Sequence, residues 1–331
     1  MASAVVGGAK PAGLYGKLKS MNLSIALATY NGAVYLKEQL ESIAAQTRTP
    51  DELVISDDQS TDDTLRVIEE FAATAGFPVR LSVNEANLGI AKNFEKAISL
   101  CRGDLIFLSD QDDVWHSDKL ESVERVFEAK PQLSMVFSNA ELVDETLRPF
   151  SETLFDRLDF NDRNQRLVKS GRALDMQLQT NRVCGFTVAF LADLKELVLP
   201  ISGHGPLIHD GWIVLLIAAV GEIDFINRPL VKYRQHSAQQ CGLGMKPSML
   251  SPTTVPIKTS ACHEITTSSK IDRACYVRQA NQLNEAFERL AAYGLNQDKE
   301  RLLQEQIVFL HERAGLPVPK FQRWRPVGRK S

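Results

Sequence analysis

Residues 103–115 read Gly-Asp-Leu-Ile-Phe-Leu-Ser-Asp-Gln-Asp-Asp-Val-Trp, an apolar run followed closely by three carboxylates. The apolar residues 105–108 predict a buried strand whose carboxyl end carries the three acids, Asp110, Asp112 and Asp113. Side chains alternate along an extended chain, which lets Asp110 and Asp112 point to the same side, where their charges repel. A hard divalent cation takes oxygen ligands and would relieve that repulsion. The stretch therefore favours a metal site for a phosphorylated substrate, or else a solvated acidic turn in which Asp113 caps a helix.

The sequence on both sides of this stretch alternates between short apolar runs and segments with helical spacing. The apolar runs predict strands at 22–28, 53–56, 79–83, 104–109 and 133–138. The segments between them predict helices at 34–46, 61–74, 90–100 and 119–127. Such alternation favours an α/β fold with a mainly parallel, doubly wound sheet and helices on both faces. Ligands of these sheets bind at the carboxyl ends of the strands, where the polar motifs of this chain lie.

Composition divides the 331 residues into four parts. We expect a flexible leader at 1–20, one large domain at 21–240, a linker or mobile loop at 241–270, and a helical appendage with a basic tail at 271–331. In the large domain, residues 184–190 and 222–226 predict strands and residues 211–220 a helix. The last twelve residues hold five basic side chains and no acid, which predicts either peripheral contact with an anionic membrane surface or a solvated tail.

Charge and cysteine content exclude several classes of protein. The formal net charge is −3, so the chain lacks the basic footprint of a nucleic-acid-binding protein. Its five cysteines are dispersed without a Cys-x-x-Cys pair, which argues against a disulfide framework and for a reducing compartment. The longest apolar run, 213–220, is far shorter than the roughly 20 residues that span a membrane. We therefore expect a cytoplasmic protein, with peripheral binding at the inner membrane face as an option.

Two further polar motifs follow the first two predicted strands. Residues 29–32 read Thr-Tyr-Asn-Gly, and Tyr30 offers an aromatic face on which a flat ligand such as a nucleobase would stack. Residues 56–62 read Ser-Asp-Asp-Gln-Ser-Thr-Asp, and Asp57 and Asp58 stand at the strand tip. A carboxylate there would accept a hydrogen bond from a base or a ribose hydroxyl. An ordinary loop with a half-buried tyrosine remains the alternative.

A third motif, residues 87–93, leads from the third strand into a helix. Asn87 is a candidate cap for that helix, and Lys92 or Asn93 is a candidate phosphate contact, although a solvated lysine is the commoner outcome. Ser60 or Thr61 is expected to cap the helix after the second motif.

In this order and spacing, the motifs resemble those of family-two glycosyltransferases, over about residues 22–240. The resemblance implies the GT-A fold and transfer with inversion at the sugar. The Asp-Gln-Asp-Asp-Val-Trp form is most similar to rhamnosyltransferases. It implies a nucleotide-sugar donor, dTDP- or UDP-linked, and a glycan or lipid-linked acceptor.

The resemblance also implies roles for individual residues. Asp110 and Asp112 would hold Mg²⁺ or Mn²⁺, and Asp210 would be the general base. The donor would be bound by Thr29, Tyr30, Asn31, Asp57, Asp58, Asn87, Lys92, Asp110, Asp113, Trp115, Arg234 and His236. The acceptor side would hold Gly185, Thr187, His209 and Trp212.

The chemistry of transfer suits these residue types. A carboxylate can deprotonate the acceptor hydroxyl, and a metal ion with a cationic side chain can neutralise the departing diphosphate. One alternative is a sugar-1-phosphate nucleotidyltransferase, but residues 29–32 lack the Gly-rich, basic loop it would need. Another is a non-catalytic nucleotide-sugar-binding protein of the same fold, which the joint presence of Asp110, Asp112 and Asp210 disfavours.

Overall fold

Four parallel strands form the first half of the sheet. The computed structural model describes residues 21–203, 205–237, 239, 273–319 and 321. The strands are β1 (Leu23–Thr29), β2 (Glu52–Asp57), β3 (Val79–Val83) and β4 (Leu105–Ser109). The helices between them are α1 (Ala33–Ala44), α2 (Thr64–Ala72) and α3 (Ile90–Leu100). Nearly every residue of β1, β2 and β4 is buried, which is why these strands read as continuous apolar runs.

The register of these strands positions the polar motifs. β1 pairs with both β2 and β4, and all of these pairs are parallel. Thr29 lies opposite Asp57, and Leu27 lies opposite Ser109. The carboxyl ends of three neighbouring strands therefore open at one edge of the sheet, which is where open α/β sheets form a ligand crevice.

The second half of the chain completes a mixed sheet. Its strands are β5 (Val114–Trp115), β6 (Leu133–Val143), β7 (Pro149–Thr153), β8 (Val188–Leu191) and β9 (Glu222–Arg234). Its helices are α4 (Lys119–Ala129), α5 (Leu154–Arg157), α6 (Asp162–Lys169), α7 (Ala173–Gln179), α8 (Lys195–Val198) and α9 (His209–Val220). Among the described residues the strand order is β3-β2-β1-β4-β8-β6-β9-β5, with β7 beside β6.

The predicted α/β architecture is confirmed, and the second half adds detail to it. β8 runs antiparallel to β4 and β6, while β6 and β9 are parallel, so the parallel part is concentrated in the first half. Residues 184–190 were expected as one strand, but Gly185–Thr187 is a 3₁₀ turn that precedes β8. The Thr187 hydroxyl donates to the Cys184 carbonyl at 2.7 Å and stabilises this turn.

The helix caps differ from the expected ones. α2 begins at Thr64, where the Asp62 carboxylate accepts the Thr64 N–H at 3.0 Å, so neither Ser60 nor Thr61 caps it. α3 begins after Gly89, whose φ of 79° suits glycine. The Asn87 amide donates to the Asp58 carbonyl instead of capping α3.

Two C-terminal helices, α10 (Arg273–Ala291) and α11 (Gln297–Ala314), pack on each other and on α9. Buried residues of both helices, among them Leu290 and Leu303, belong to the same apolar cluster as α9. These are the helices of the predicted appendage. The predicted leader, the linker at 241–270 and almost all of the basic tail lie outside the described residues. Within the part of the chain that is described, no helix is both long and apolar enough to cross a membrane.

Leu290→Ala tests how firmly α10 is joined to the core. Leu290 is fully buried in the cluster shared with α9. The substitution should therefore lower the free energy of unfolding of the whole chain by about 2–5 kcal/mol. Urea unfolding followed by far-UV circular dichroism measures this, with Phe309→Ala, an exposed position on α11, as the control. An unchanged main transition would show that α10 is not part of the cooperative unit.

Candidate active site

A cavity of about 300 Å³ opens at the carboxyl ends of β1 and β4. Its wall combines backbone and side chains of the first motif with the acidic strand end and the end of β9. The lining residues important here are Thr29, Tyr30, Asn31, Gly32, Tyr35, Asp58, Asp110, Gln111, Asp112 and His236. Six of the twelve residues predicted for the donor site therefore line one cavity: Thr29, Tyr30, Asn31, Asp58, Asp110 and His236.

Three carboxylates dominate this cavity. Oxygens of Asp110, Asp112 and Asp113 all lie within 4.8 Å of one another. Burial, followed by the charges of Asp112 and Asp210, raises the pKa of Asp110 to about 8. Burial also raises the pKa of Asp113 well above its ordinary value. Three carboxylates this close together offer the oxygen ligands that suit Mg²⁺ or Mn²⁺. The alternative, a solvated acidic turn, does not fit because Asp113 is buried.

Asp113 is not a helix cap. α4 begins at Lys119, after Asp118, and Asp113 instead accepts the Arg234 N–H at 3.3 Å. The other carboxylate oxygen of Asp113 is buried without a hydrogen-bond partner among the described residues.

Gln111 fixes the Tyr30 loop against the acidic strand end. Its side-chain oxygen accepts the Tyr30 N–H at 2.8 Å, and its side-chain nitrogen donates to the Tyr30 carbonyl at 3.1 Å. A Cβ at Gly32 would lie 2.2 Å from the Gln111 oxygen, so any other residue there would displace the Gln111 amide. Sequence reasoning missed both residues. Both residues belong to the quoted motifs. Gln111 stands between Asp110 and Asp112, and Gly32 follows Asn31.

The second motif builds the loop beside Tyr30. Asp57 is fully buried and accepts the Thr29 hydroxyl at 2.8 Å, the Ser60 N–H at 2.8 Å and the Ser60 hydroxyl at 2.6 Å. Asp58 lines the cavity and accepts the backbone N–H groups of the third motif, at Leu88 and Gly89. Both carboxylates therefore shape the loops, and a direct contact with a nucleobase remains a prediction.

Asn31 joins the first two motifs. It has a φ of 47°, and its amide oxygen accepts the Thr61 N–H at 2.8 Å.

The end of β9 closes the cavity above Asp112. The His236 ring nitrogen Nε2 lies 2.8 Å from an Asp112 carboxylate oxygen, and the ring packs against Tyr35 in a tilted arrangement with its centre 4.6 Å from the Tyr35 ring centre. Arg234 does not line the cavity and is only 1% exposed. Its guanidinium donates to the Asp112 carbonyl at 2.9 Å and pairs with Glu38. This corrects the expectation of a direct diphosphate contact, because Arg234 supports the acidic loop from behind.

Asp210 lies in the first turn of α9 and faces the carboxylates, since its charge contributes to the raised pKa of Asp110. Its carboxylate accepts the Gly211 N–H at 2.5 Å and the backbone N–H of Gly185. Burial raises the pKa of Asp210 to about 6. The group is therefore ionised at neutral pH and sufficiently basic to accept a proton.

Residues 24–190, just over half of the chain, match the glycosyl transferase family 2. The chain belongs to this family. Among curated proteins, an uncharacterized glycosyltransferase of Nostoc, alr2836, is 27% identical over 66% of each chain. The dTDP-rhamnosyl transferase RfbG of Shigella flexneri is 42% identical over 29% of this chain and 35% of that protein. The chain spans 59% of the length of an uncharacterized protein of Mycobacterium tuberculosis, Rv1520, to which it is 30% identical.

Solved structures confirm the predicted GT-A fold. S. aureus TarS 1-349 in complex with UDP-GlcNAc aligns with a TM-score of 0.57 at 16% identity. The alignment covers 88% of this family 2 glycosyltransferase and 72% of the TarS chain. It includes more of the chain than the family match, and so extends the shared fold beyond residue 190.

Several residues that the resemblance implied lie outside the cavity of this chain. Trp212 is fully buried and its indole N–H donates to the Val198 carbonyl at 3.1 Å, so it is a core residue and not an acceptor contact. Trp115 is buried against Phe107. The Lys92 ammonium is held by Glu95 at 2.7 Å and by a backbone carbonyl.

His209 and Gly185 pack directly under Asp210. His209 is buried and stacks on Phe94 at 4.0 Å, and burial lowers the pKa of His209 to about 3, so the ring is neutral. A Cβ at Gly185 would lie 2.7 Å from the His209 ring. His209 therefore supports the turn beneath Asp210 and does not contact an acceptor directly.

Gly32→Ala tests the contact between the first motif and the acidic strand end. The added Cβ displaces Gln111 and releases both of its hydrogen bonds to Tyr30. We expect at least about tenfold weaker binding of a nucleoside diphosphate with Mn²⁺, equivalent to about 1.4 kcal/mol. Gly76→Ala is the matched control, because nothing lies within 4 Å of its Cβ. Equal affinity in the two variants, measured by calorimetry, would contradict this role of Gln111.

Proposed function

We propose that this chain is an inverting, metal-assisted glycosyltransferase. It transfers a sugar from a nucleoside-diphosphate donor to a hydroxyl of a glycan or lipid-linked acceptor. The observation that supports this most strongly is electrostatic. Asp210 lies close enough to the carboxylate cluster for its charge to help raise the pKa of Asp110, so a candidate base lies beside a candidate metal site.

The donor half of the proposal rests on the wall of the cavity. Tyr30 and Asp58 line its nucleotide end, and Asp110 and Asp112 are the residues that would hold Mg²⁺ or Mn²⁺. A divalent ion bound there would neutralise the negative charge of the departing nucleoside diphosphate. His236 fixes the Asp112 carboxylate and closes this end of the cavity.

The acceptor half depends on Asp210. Its carboxylate takes the proton from the acceptor hydroxyl as the hydroxyl oxygen bonds to the anomeric carbon. The bond from that carbon to the diphosphate oxygen breaks on the opposite face, so one displacement inverts the configuration. The Gly185 and Gly211 N–H groups orient the carboxylate, and their hydrogen bonds favour its ionised form by lowering its pKa.

Rhamnose is the sugar that we propose to test first. The local similarity to a dTDP-rhamnosyl transferase covers 101 residues at 42% identity, and the Asp-Gln-Asp-Asp-Val-Trp form supports the same choice. Hydrolysis and thermal stabilisation should be screened with dTDP-rhamnose and with UDP-linked hexoses. Stabilisation by a nucleotide-sugar without turnover on any acceptor would favour the non-catalytic alternative.

Asp112→Asn should abolish metal-dependent binding of the donor nucleotide, because the charge of this carboxylate is needed at the ion. Calorimetric titration of a nucleoside diphosphate with and without Mn²⁺ measures the effect. Asp118→Asn is the control, since Asp118 is a surface carboxylate paired with Arg228. Metal-dependent affinity that survives in the Asp112 variant would overturn its assignment as a ligand.

Asp210→Asn should retain nucleotide binding but lower kcat by about 10²–10⁴, the usual contribution of a general base. In the wild type, kcat should fall as the pH drops through about 6, because the base then carries a proton, and should level off above it. Asp175→Asn, another acid in the first turn of a helix, is the control. Wild-type turnover in the Asp210 variant, or no acidic limb between pH 5 and 8, would exclude Asp210 as the base.

A further inference from the structure

Lys119 is a fully buried lysine beside the active site. It begins α4 and is 0% exposed, although lysines are almost never fully buried unless their amine has partners. The amine donates to the Phe186 carbonyl at 2.6 Å and lies 3.6 Å from the centre of the Trp115 ring. Neither contact belongs to the cavity wall, so Lys119 does not touch a donor or an acceptor there.

One side of Lys119 is the carboxylate cluster. Asp113 and Asp110 are the two charges that favour its protonated form, against the burial that lowers its pKa. Lys119 in turn helps to stabilise the ionised form of both acids. The acidic strand end therefore has a buried amine beside it at the first residue of α4.

The other side of Lys119 is the turn beneath the base. Phe186 is the central residue of the 3₁₀ turn Gly185–Thr187, and the Gly185 N–H donates to Asp210. The amine donates to the Phe186 carbonyl whether or not it carries its third proton. A single side chain, that of Lys119, thus connects the acidic strand end to the turn that orients Asp210.

We propose that Lys119 is a positioning residue that holds the Gly185–Thr187 turn, and through it Asp210, in register with the carboxylate cluster. The inference rests on the proposed function, in which Asp210 acts on a donor bound at that cluster. A methionine would fill the same volume but would leave the Phe186 carbonyl unpaired in the core. A displacement of about 1 Å between reacting groups can cost about 10²-fold in rate.

Lys119→Met tests the proposal by separating binding from turnover. We expect kcat to fall at least about tenfold, within the range that misplacement produces. The Kd of a nucleoside diphosphate with Mn²⁺ and the donor KM should stay near wild type. Lys195→Met is the matched control, because Lys195 donates to the Cys101 carbonyl at 2.7 Å on a different part of the sheet. It removes the same kind of hydrogen bond, and its kcat should not change.

Hydrogen exchange gives a readout that does not need activity. In Lys119→Met the amides of residues 185–187 should exchange faster, while Lys195→Met should leave them unchanged. If the wild type transfers no sugar, the proposed function fails and this exchange measurement still tests the link. Unchanged exchange at the turn would overturn the proposal, as would wild-type kcat or a parallel loss of binding and turnover.

A second variant covers the case in which Lys119→Met does not fold. Asp113→Asn removes the buried charge that Lys119 helps to stabilise, so the double variant should fold. Its kcat should remain at least about tenfold below that of Asp113→Asn alone, because the Phe186 carbonyl is still unpaired. Equal kcat in these two variants would overturn the proposal.

Discussion

The mutual repulsion of three carboxylates at the end of a buried strand is the constraint on which this structure depends. β4 is buried along its whole length, and its register with β1 delivers Asp110, Asp112 and Asp113 to the open edge of the sheet. Unlike charges or hydrogen-bond donors must surround such a group, or the acids take up protons. Burial, followed by the charges of neighbouring carboxylates, raises the pKa of both Asp110 and Asp113.

Side chains from distant parts of the chain surround the three carboxylates and stabilise them. Arg234 holds the Asp112 backbone, His236 holds its carboxylate, and Lys119 lies beneath Asp113. Gln111 connects the same loop to the Tyr30 backbone through two hydrogen bonds. Hydrogen bonds within the protein therefore fix the acidic loop, an arrangement that would suit electrostatic catalysis.

The sequence predicts those features that are local along the chain. The bounds of α3 agree with the prediction at 90–100, and the acidic strand end, Tyr30 and Asp58 reach one cavity because they follow adjacent parallel strands. Long-range contacts are different. Arg234 meets a loop about 120 positions away only because β9 pairs with both β6 and β5, and nothing in residues 222–234 reveals that pairing.

Burial was the second quantity that local patterns did not predict. The pattern His-Asp-Gly-Trp at 209–212 reads equally as a surface motif or as the start of a core helix. In the structure α9 is buried on nearly all sides, which takes Trp212 and His209 into the core, while Asp210 stays close to the carboxylate cluster. Asp210 and Asp110 differ likewise by environment, since Asp210 receives backbone N–H groups that Asp110 lacks.

The most direct test of the central claim is anomalous diffraction from crystals grown with Mn²⁺ and a nucleoside diphosphate. The account predicts one manganese peak bonded to carboxylate oxygens of Asp110 or Asp112 and to the diphosphate, with the base of the nucleotide beside Tyr30. A nucleotide bound in this cavity without manganese, or manganese bound away from the end of β4, would contradict it.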